Sequence, residues 1–281
     1  MSASRTAVAT PRPSGSGVTL LVLAAAQFML VLDTSVANVA LPQIRTDLGV
    51  SESSLQYVVS LYALTFGGFL ILAGRAADLF GRRLFFLLGI GVFTGASLVC
   101  GLAESEGVLL AARALQGLGG ALASPAALSL VTTSFAEGPE RNRALGIWGA
   151  VAAGGGAVGL VLGGVLTEAL SWRWVFFINV PAGLAVVVAG RRILSESREP
   201  AASRRLDVPG AVLVTLGLAL LVYGVTRGQQ DGFSASVPLL LLLGAVAMLL
   251  CFAVVERRVA DPLVPFSFLA RRGPSAGART R

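Results

Sequence analysis

The chain has 281 residues, 55% of them hydrophobic and 13% charged, with a mean hydropathy of +0.79, a balance outside the range of soluble globular domains. Its 22 basic residues, all arginine, against 15 acidic ones leave a net charge of +7; attraction to anionic lipid headgroups accounts for that charge without a nucleic-acid partner. The absence of histidine removes imidazole ligands and proton relays, so zinc and haem chemistry are poor candidates, and no nucleophile, metal cluster or cofactor loop forms a set that would make the chain an enzyme.

Residues 1–17, rich in Ser, Pro, Gly and Ala, read as a flexible tail. No secretory cleavage pattern stands out, and the first apolar block is too long for a signal-peptide core. The apolar residues then fall in eight blocks: 18–40, 55–74, 84–103, 108–131, 144–167, 174–190, 208–226 and 237–255. Each is about long enough, at helical rise, to cross a ~30 Å hydrocarbon layer. An even number of spans puts both termini on one side. Placing them in the cytoplasm leaves 18 of the 22 arginines there, with Arg45, Arg173 and Arg227 in the opposite loops and Arg113 inside a span, the asymmetry that favours cytoplasmic termini. Cys100 and Cys251 fall in spans and read as small packing residues rather than a disulfide framework.

The first span carries "FMLVLDTSVANVALP", with Asp33 about seven residues, or roughly 10 Å, below its outer end. Arg113 enters the fourth span about five residues, or roughly 8 Å, below the same boundary. Ionisable groups at such depth face an interior path or a partner, so the two can share a polar cavity. Two readings are open: substrate or proton coupling, and a structural pair; Arg113 can also snorkel. Gln116, one helical turn from Arg113, and Asn38, five residues after Asp33, either line the route or make helix–helix hydrogen bonds.

Between spans two and three, "GRAADLFGRR" has Gly74 and Gly81 for a tight connection and Asp78 four residues before Arg82, a spacing for a local pair. With Arg83, the segment reads as a conformational latch or as a solvated turn. In the fifth span Gly155, Gly159 and Gly163 recur every four residues, and with Gly164 they form a close-packing face or a gate against proton leak. The sixth span opens "SWRWVFFINVPAG": Trp172 and Trp174 suit the membrane interface, Pro181 loosens the helix and Asn179 satisfies a local polar group. Anchoring and substrate contact are both open for this segment.

Together these segments resemble the fourteen-helix drug/proton antiporter branch of the major facilitator superfamily. The resemblance rests on "LDTSVANVALPQI" (32–44), "GRAADLFGRR" (74–83), "RALQGLGGA" (113–121), "GAVGLVLGGVL" (156–166) and "WRWVFFINVPAG" (172–183), with support from "LDVPG" (206–210) and "ERRVADPLVPFSFL" (256–269). Ala76 and Leu79 stand where a larger apolar residue and an arginine are common, and Leu160 where proline is common.

The resemblance implies an all-α integral membrane fold: a six-helix N-terminal bundle over 18–190, a cytoplasmic linker over 191–207, two further transmembrane helices over 208–255 and a cytoplasmic tail over 256–281. The second six-helix bundle of the family is absent from the chain, which suggests a truncated coding sequence or a split assembly. Asp33 then corresponds to the carboxylate of proton or cationic-drug handling and Arg113 to the fourth-helix arginine of proton transfer. Gly74, Asp78, Gly81, Arg82 and Arg83 correspond to the loop controlling alternating access, and Trp172, Arg173, Trp174, Asn179, Pro181 and Gly183 to the sixth-helix signature. The function implied is the N-terminal part of a proton-coupled multidrug or small-metabolite exporter in the bacterial cytoplasmic membrane. Its only coupling agent would be protons, without a cofactor or metal; its partners would be membrane lipids, amphipathic or cationic small molecules and a complementary six-helix half. The alternative is a non-transporting fragment or regulatory subunit.

Overall fold

The computed structural model describes residues 17–198 and 208–256. The tail over 1–16, most of the linker, the segment 257–281 and the parts of the "LDVPG" and "ERRVADPLVPFSFL" matches that fall there lie outside the described residues. Among the described residues every regular element is helical: α1 (Gly17–Leu48), α2 (Glu52–Phe80), α3 (Arg82–Gly101), α4 (Glu106–Ser134), α5 (Pro139–Ala169), α6 (Trp174–Phe177), α7 (Asn179–Ile193), α8 (Val208–Asp231) and α9 (Ser236–Glu256). With α6 and α7 taken as one interrupted span, eight are long and apolar enough to cross a membrane.

Local chemistry sets the breaks. Gly49, with φ 63°, ends α1, and Ser51 caps α2 by accepting from the Ser54 amide at 3.1 Å. Gly81, at φ 133°, is the one residue between α2 and α3, a backbone conformation open to glycine and closed to most side chains. The sixth span is interrupted at Ile178, and Pro181 is the third residue of α7, where its missing N–H costs no helical bond.

The helices outrun the apolar blocks. α1 continues through Pro42 to Leu48, so Asp33 lies near the middle of a 32-residue helix rather than close to its outer end, because polar residues flanking a hydrocarbon-length core remain good helix formers.

α1 packs between α5 and α7, α4 against α2 and α3, and the α8–α9 hairpin against α2. The interior divides into two apolar clusters. One gathers Leu23, Met29, Leu30, Phe86, Phe93 and Ala123 toward the α1 N-terminus; the other gathers Leu32, Val36, Ile44, Cys100, Ala112 and Phe176 toward the opposite end. Several crossings need glycine. A Cβ on Gly159 would sit 2.6 Å from Ser35 Cβ, and one on Gly163 3.0 Å from Val36 Cα. Gly155 meets Phe28 and Val31 at ordinary to tight contact, whereas Gly164 faces open space and takes no part in this packing. Between α3 and α4, a Cβ on Gly89 would lie 2.5 Å from the Ala123 amide and one on Gly119 2.5 Å from the Phe93 amide, so the two backbones touch; between α4 and α2 a Cβ on Gly117 would come closer still to the Tyr62 carbonyl oxygen.

Candidate functional site

At the seam between the two apolar clusters lies a layer of polar side chains. α1 presents Asp33, α3 Ser97 and Cys100, α4 Arg113 and Gln116, and α7 Asn179. Asp33 and Gln116 are 0% exposed and Arg113 1%. Asp33 accepts three hydrogen bonds: from Arg113 Nη1 at 2.6 Å, Asn179 Nδ2 at 2.7 Å and Gln116 Nε2 at 3.1 Å. Gln116 Oε1 accepts from Arg113 Nη1 at 2.8 Å and from the Cys100 thiol at 3.2 Å.

Ser97 closes the set. Its Oγ accepts from Gln116 Nε2 and Asn179 Nδ2, both at 3.0 Å, and donates to the Phe176 carbonyl at 3.0 Å. Each amide nitrogen therefore spends both hydrogens, and the hydroxyl spends its one donor. Arg113 Nε donates to the Val58 carbonyl at 2.9 Å, and its guanidinium lies 4.7 Å from the Tyr62 ring centroid and 5.6 Å from that of Phe176, cation–π contacts on two flanks. The helix break at Ile178 places Asn179 at the N-terminus of α7, directly beside Asp33.

Arg113 also lines a cavity of about 370 Å³ between α1, α2 and α4, with Gln27, Thr34, Tyr62, Phe66 and Ser124. Gln27 Oε1 is buried without a partner, a free acceptor beside that cavity. Asp33 does not line it: the Arg113 side chain lies between. Asn38 is remote from the layer, with its Nδ2 donating to the Thr34 carbonyl of its own helix at 2.7 Å. It borders a second cavity of about 570 Å³ with Gln56 and Ser60 of α2 and Thr226 and Gln229 of α8.

At the end of the bundle holding the α1 N-terminus, Arg82 Nε donates to Asp78 Oδ1 at 2.7 Å across the break at Gly81, and Ser129 Oγ reaches the same oxygen at 3.3 Å. The segment after α7 grips this turn. Glu196 accepts from the amides of Arg83 at 3.1 Å and Leu84 at 3.2 Å, an acidic cap on the α3 N-terminus. Ser197 accepts from the Arg82 amide at 3.0 Å through its carbonyl and from Arg82 Nη1 at 3.1 Å through its hydroxyl. Arg83 Nη2 donates to the Arg191 carbonyl. Gly81 has no room for more: a Cβ there would lie 2.8 Å from the Glu196 carboxylate. Gly74 packs on Pro125 of α4.

At the opposite end Asp47 accepts from Arg173 Nη1 at 2.6 Å and Trp172 Nε1 at 2.8 Å, and Arg173 Nη2 donates to the Ala103 carbonyl at 3.0 Å. Trp172 is buried while Trp174 is 47% exposed. Only Trp174 therefore has the exposure of an interface anchor; the Asp47 bond draws the Trp172 indole inward. Gly183 sits against Thr94 of α3. Cys100 and Cys251 are both free thiols; Cys100 is buried in the second apolar cluster and its thiol also donates to Gln116, while Cys251 is exposed.

Sequence reasoning did not single out Ser97, Cys100, Tyr62, Gln27, Asp47 or Glu196. Ser97 and Cys100 are three apart on one face of α3, a weak helical signal; Glu196, more than a hundred residues from the amides it caps, has no local signal at all.

Comparison with known proteins gives a consistent picture. The profile of the Major Facilitator Superfamily matches residues 23–273. A cephamycin export protein from Amycolatopsis lactamdurans is 50% identical over 258 residues, 91% of this chain and 53% of that protein. A puromycin resistance protein from Streptomyces alboniger is 48% identical over 253 residues, 90% of this chain and 50% of that one. The chain thus spans about half the length of the curated relatives it matches. Among solved structures, a peptide transporter in complex with sulfate superposes with a TM-score of 0.62 at 15% identity, over 86% of this chain and 53% of that one, a likeness of fold.

Proposed function

Because this chain belongs to the major facilitator superfamily, we propose that it forms the N-terminal part of a proton-coupled exporter of amphipathic small molecules, working by alternating access. The observation that carries this reading is the Asp33–Arg113 pair: two full charges at 2.6 Å inside a membrane-spanning bundle, where an ion pair adds little net stability over apolar packing and is retained for what it does. Protonation of Asp33 removes the charge that holds Arg113, freeing the guanidinium to turn toward the 370 Å³ cavity it already borders. Proton binding and the cavity's charge are then linked by one side chain, and the cargo undergoes no covalent change. The names of the relatives support antibiotics as a cargo class.

Asp33, Arg113 and Gln116 carry the coupling. The turn at Gly81, with Asp78, Arg82 and Arg83, carries the access switch, and Gly155, Gly159 and Gly163 the packing that keeps α5 sealed on α1. The distribution of arginines supports cytoplasmic termini in a bacterial plasma membrane. A complementary six-helix half would supply the other wall of the cavity.

The test is substrate-dependent proton flux in proteoliposomes holding the chain together with a complementary half. Flux is expected with the wild-type pair and background flux with Asp33→Asn. Proton-driven transport by Asp33→Asn at the wild-type rate overturns the proposal.

A further inference from the structure

We propose that the furrow along α1, between α5 and α7, seats one phospholipid with a primary-amine headgroup, drawn from the leaflet that faces the α1 N-terminus. Two cavities, of about 600 and 430 Å³, share Leu21, Ala24 and Val151 and so form one continuous furrow. Its deep part is walled by Phe28, Leu32, Val158 and Leu162, and the one polar side chain there is Asn179. From Leu20 to Leu32 the α1 wall rises ~18 Å at helical pitch, against the ~15 Å of hydrocarbon in one leaflet. The furrow therefore has the polarity and the depth of a single acyl chain.

The mouth of the furrow has the charges of a headgroup. Glu140 and Arg143 line it, both exposed, and neither makes a hydrogen bond or ion pair with another described residue. They stand three apart on the first turns of α5; Pro139 brings no N–H and the Asn142 amide bonds the Gly138 carbonyl at 3.0 Å, so Arg143 is the donor that the mouth offers to an anion. A phosphate fits Arg143, and an ammonium fits Glu140. A choline headgroup has no N–H to donate and a glycerol headgroup has no cation, so an ethanolamine headgroup satisfies both side chains where the other two satisfy one. At its far end the chain rests on Asn179, which donates to Asp33 at 2.7 Å, so a seated lipid also buttresses the polar layer from the side.

The test is native mass spectrometry of the purified 281-residue chain, titrated with phosphatidylethanolamine, phosphatidylcholine and phosphatidylglycerol of identical acyl composition. One retained lipid is expected, with ethanolamine preferred about tenfold, the worth of one charge-assisted hydrogen bond. Glu140→Gln should abolish the preference over choline, and Arg143→Gln should weaken retention of all three lipids. Ala25→Trp fills the deep furrow and should remove the adduct at unchanged helical circular dichroism; Val158→Trp, on the more exposed wall, does the same if Ala25→Trp does not fold. Equal retention of the three headgroups overturns the proposal, as does an adduct indifferent to both tryptophans. A dimer mass lost on Val158→Trp would assign the furrow to a second copy instead and also overturns it.

Discussion

Asp33–Arg113 and Asp78–Arg82 are both carboxylate–guanidinium pairs, 2.6 and 2.7 Å long, and both belong to segments by which the sequence resembles its family. The first has side chains 0% and 1% exposed, on helices far apart in the chain; the second has side chains 29% and 14% exposed, four residues apart. Contact length alone does not rank them. A buried charge that loses its partner keeps its full desolvation cost, about 3–5 kcal/mol, whereas a partly solvated i,i+4 pair is worth about 0.3–0.5 kcal/mol. The polar layer is built so that no partner can leave cheaply. The turn at Gly81 is built from bonds that can be exchanged for water.

The comparison breaks most visibly at Arg113. Arg113→Gln should cost about 3–5 kcal/mol of stability, read as a large fall in thermal midpoint in detergent. Adding Asp33→Asn should restore most of that loss while proton coupling stays absent. A double variant no more stable than the single one would show that the layer is held by its neutral hydrogen bonds. Next comes Asn179→Ala, which strips one donor each from Asp33 and Ser97; about 1–3 kcal/mol is expected, measured by the same melt.

The turn at Gly81 answers with smaller numbers. Glu196→Ala removes the acidic cap of α3 and should cost about 1 kcal/mol, with faster hydrogen exchange confined to the first turn of α3. Asp78→Asn should shift stability by only about 0.5 kcal/mol while changing the population of inward- and outward-open states, read by spin-label distances across the two ends. Salt sharpens the contrast further. Raising ionic strength to about 1 M shortens the screening length to ~3 Å; it should erase the Asp78→Asn effect and leave the Arg113→Gln effect intact.

The eight spans were legible because a hydrocarbon layer demands unbroken apolar runs of fixed length. The two charges in the spans were legible because no other Asp, Glu or Arg falls within those runs. What the sequence could not show was how completely they are enclosed. A polar cavity open to water was expected around Asp33; the structure gives the carboxylate three donors and no exposed surface. Asn179 supplies one of those donors and Ser97 accepts from the Asn179 and Gln116 amides, holding both in place, and each looks on its own like an ordinary small polar residue in a helix. The Gly155–Gly159–Gly163 repeat was legible by its spacing, yet the closest backbone approaches, between Gly117 and α2 and between Gly89 and Gly119, join helices at positions with no shared period. The Glu196 clasp was hidden for the same reason: contact between distant segments is decided by how the helices end up side by side.

One consequence of the polar layer lies in alignment. Hydrocarbon packing is forgiving, since a leucine slipped by one turn meets another leucine. Asp33 has only Met29, Leu30, Val36 and Ala37 one turn up or down, and Asn179 only Val175, Phe176, Ala182 and Gly183, so a slip of ~5.4 Å would strand both in oil at once. The layer therefore acts as a vernier that fixes how far α1 is inserted relative to α3, α4 and α7, and a chain threading into the bilayer has a single depth at which all four helices click into place.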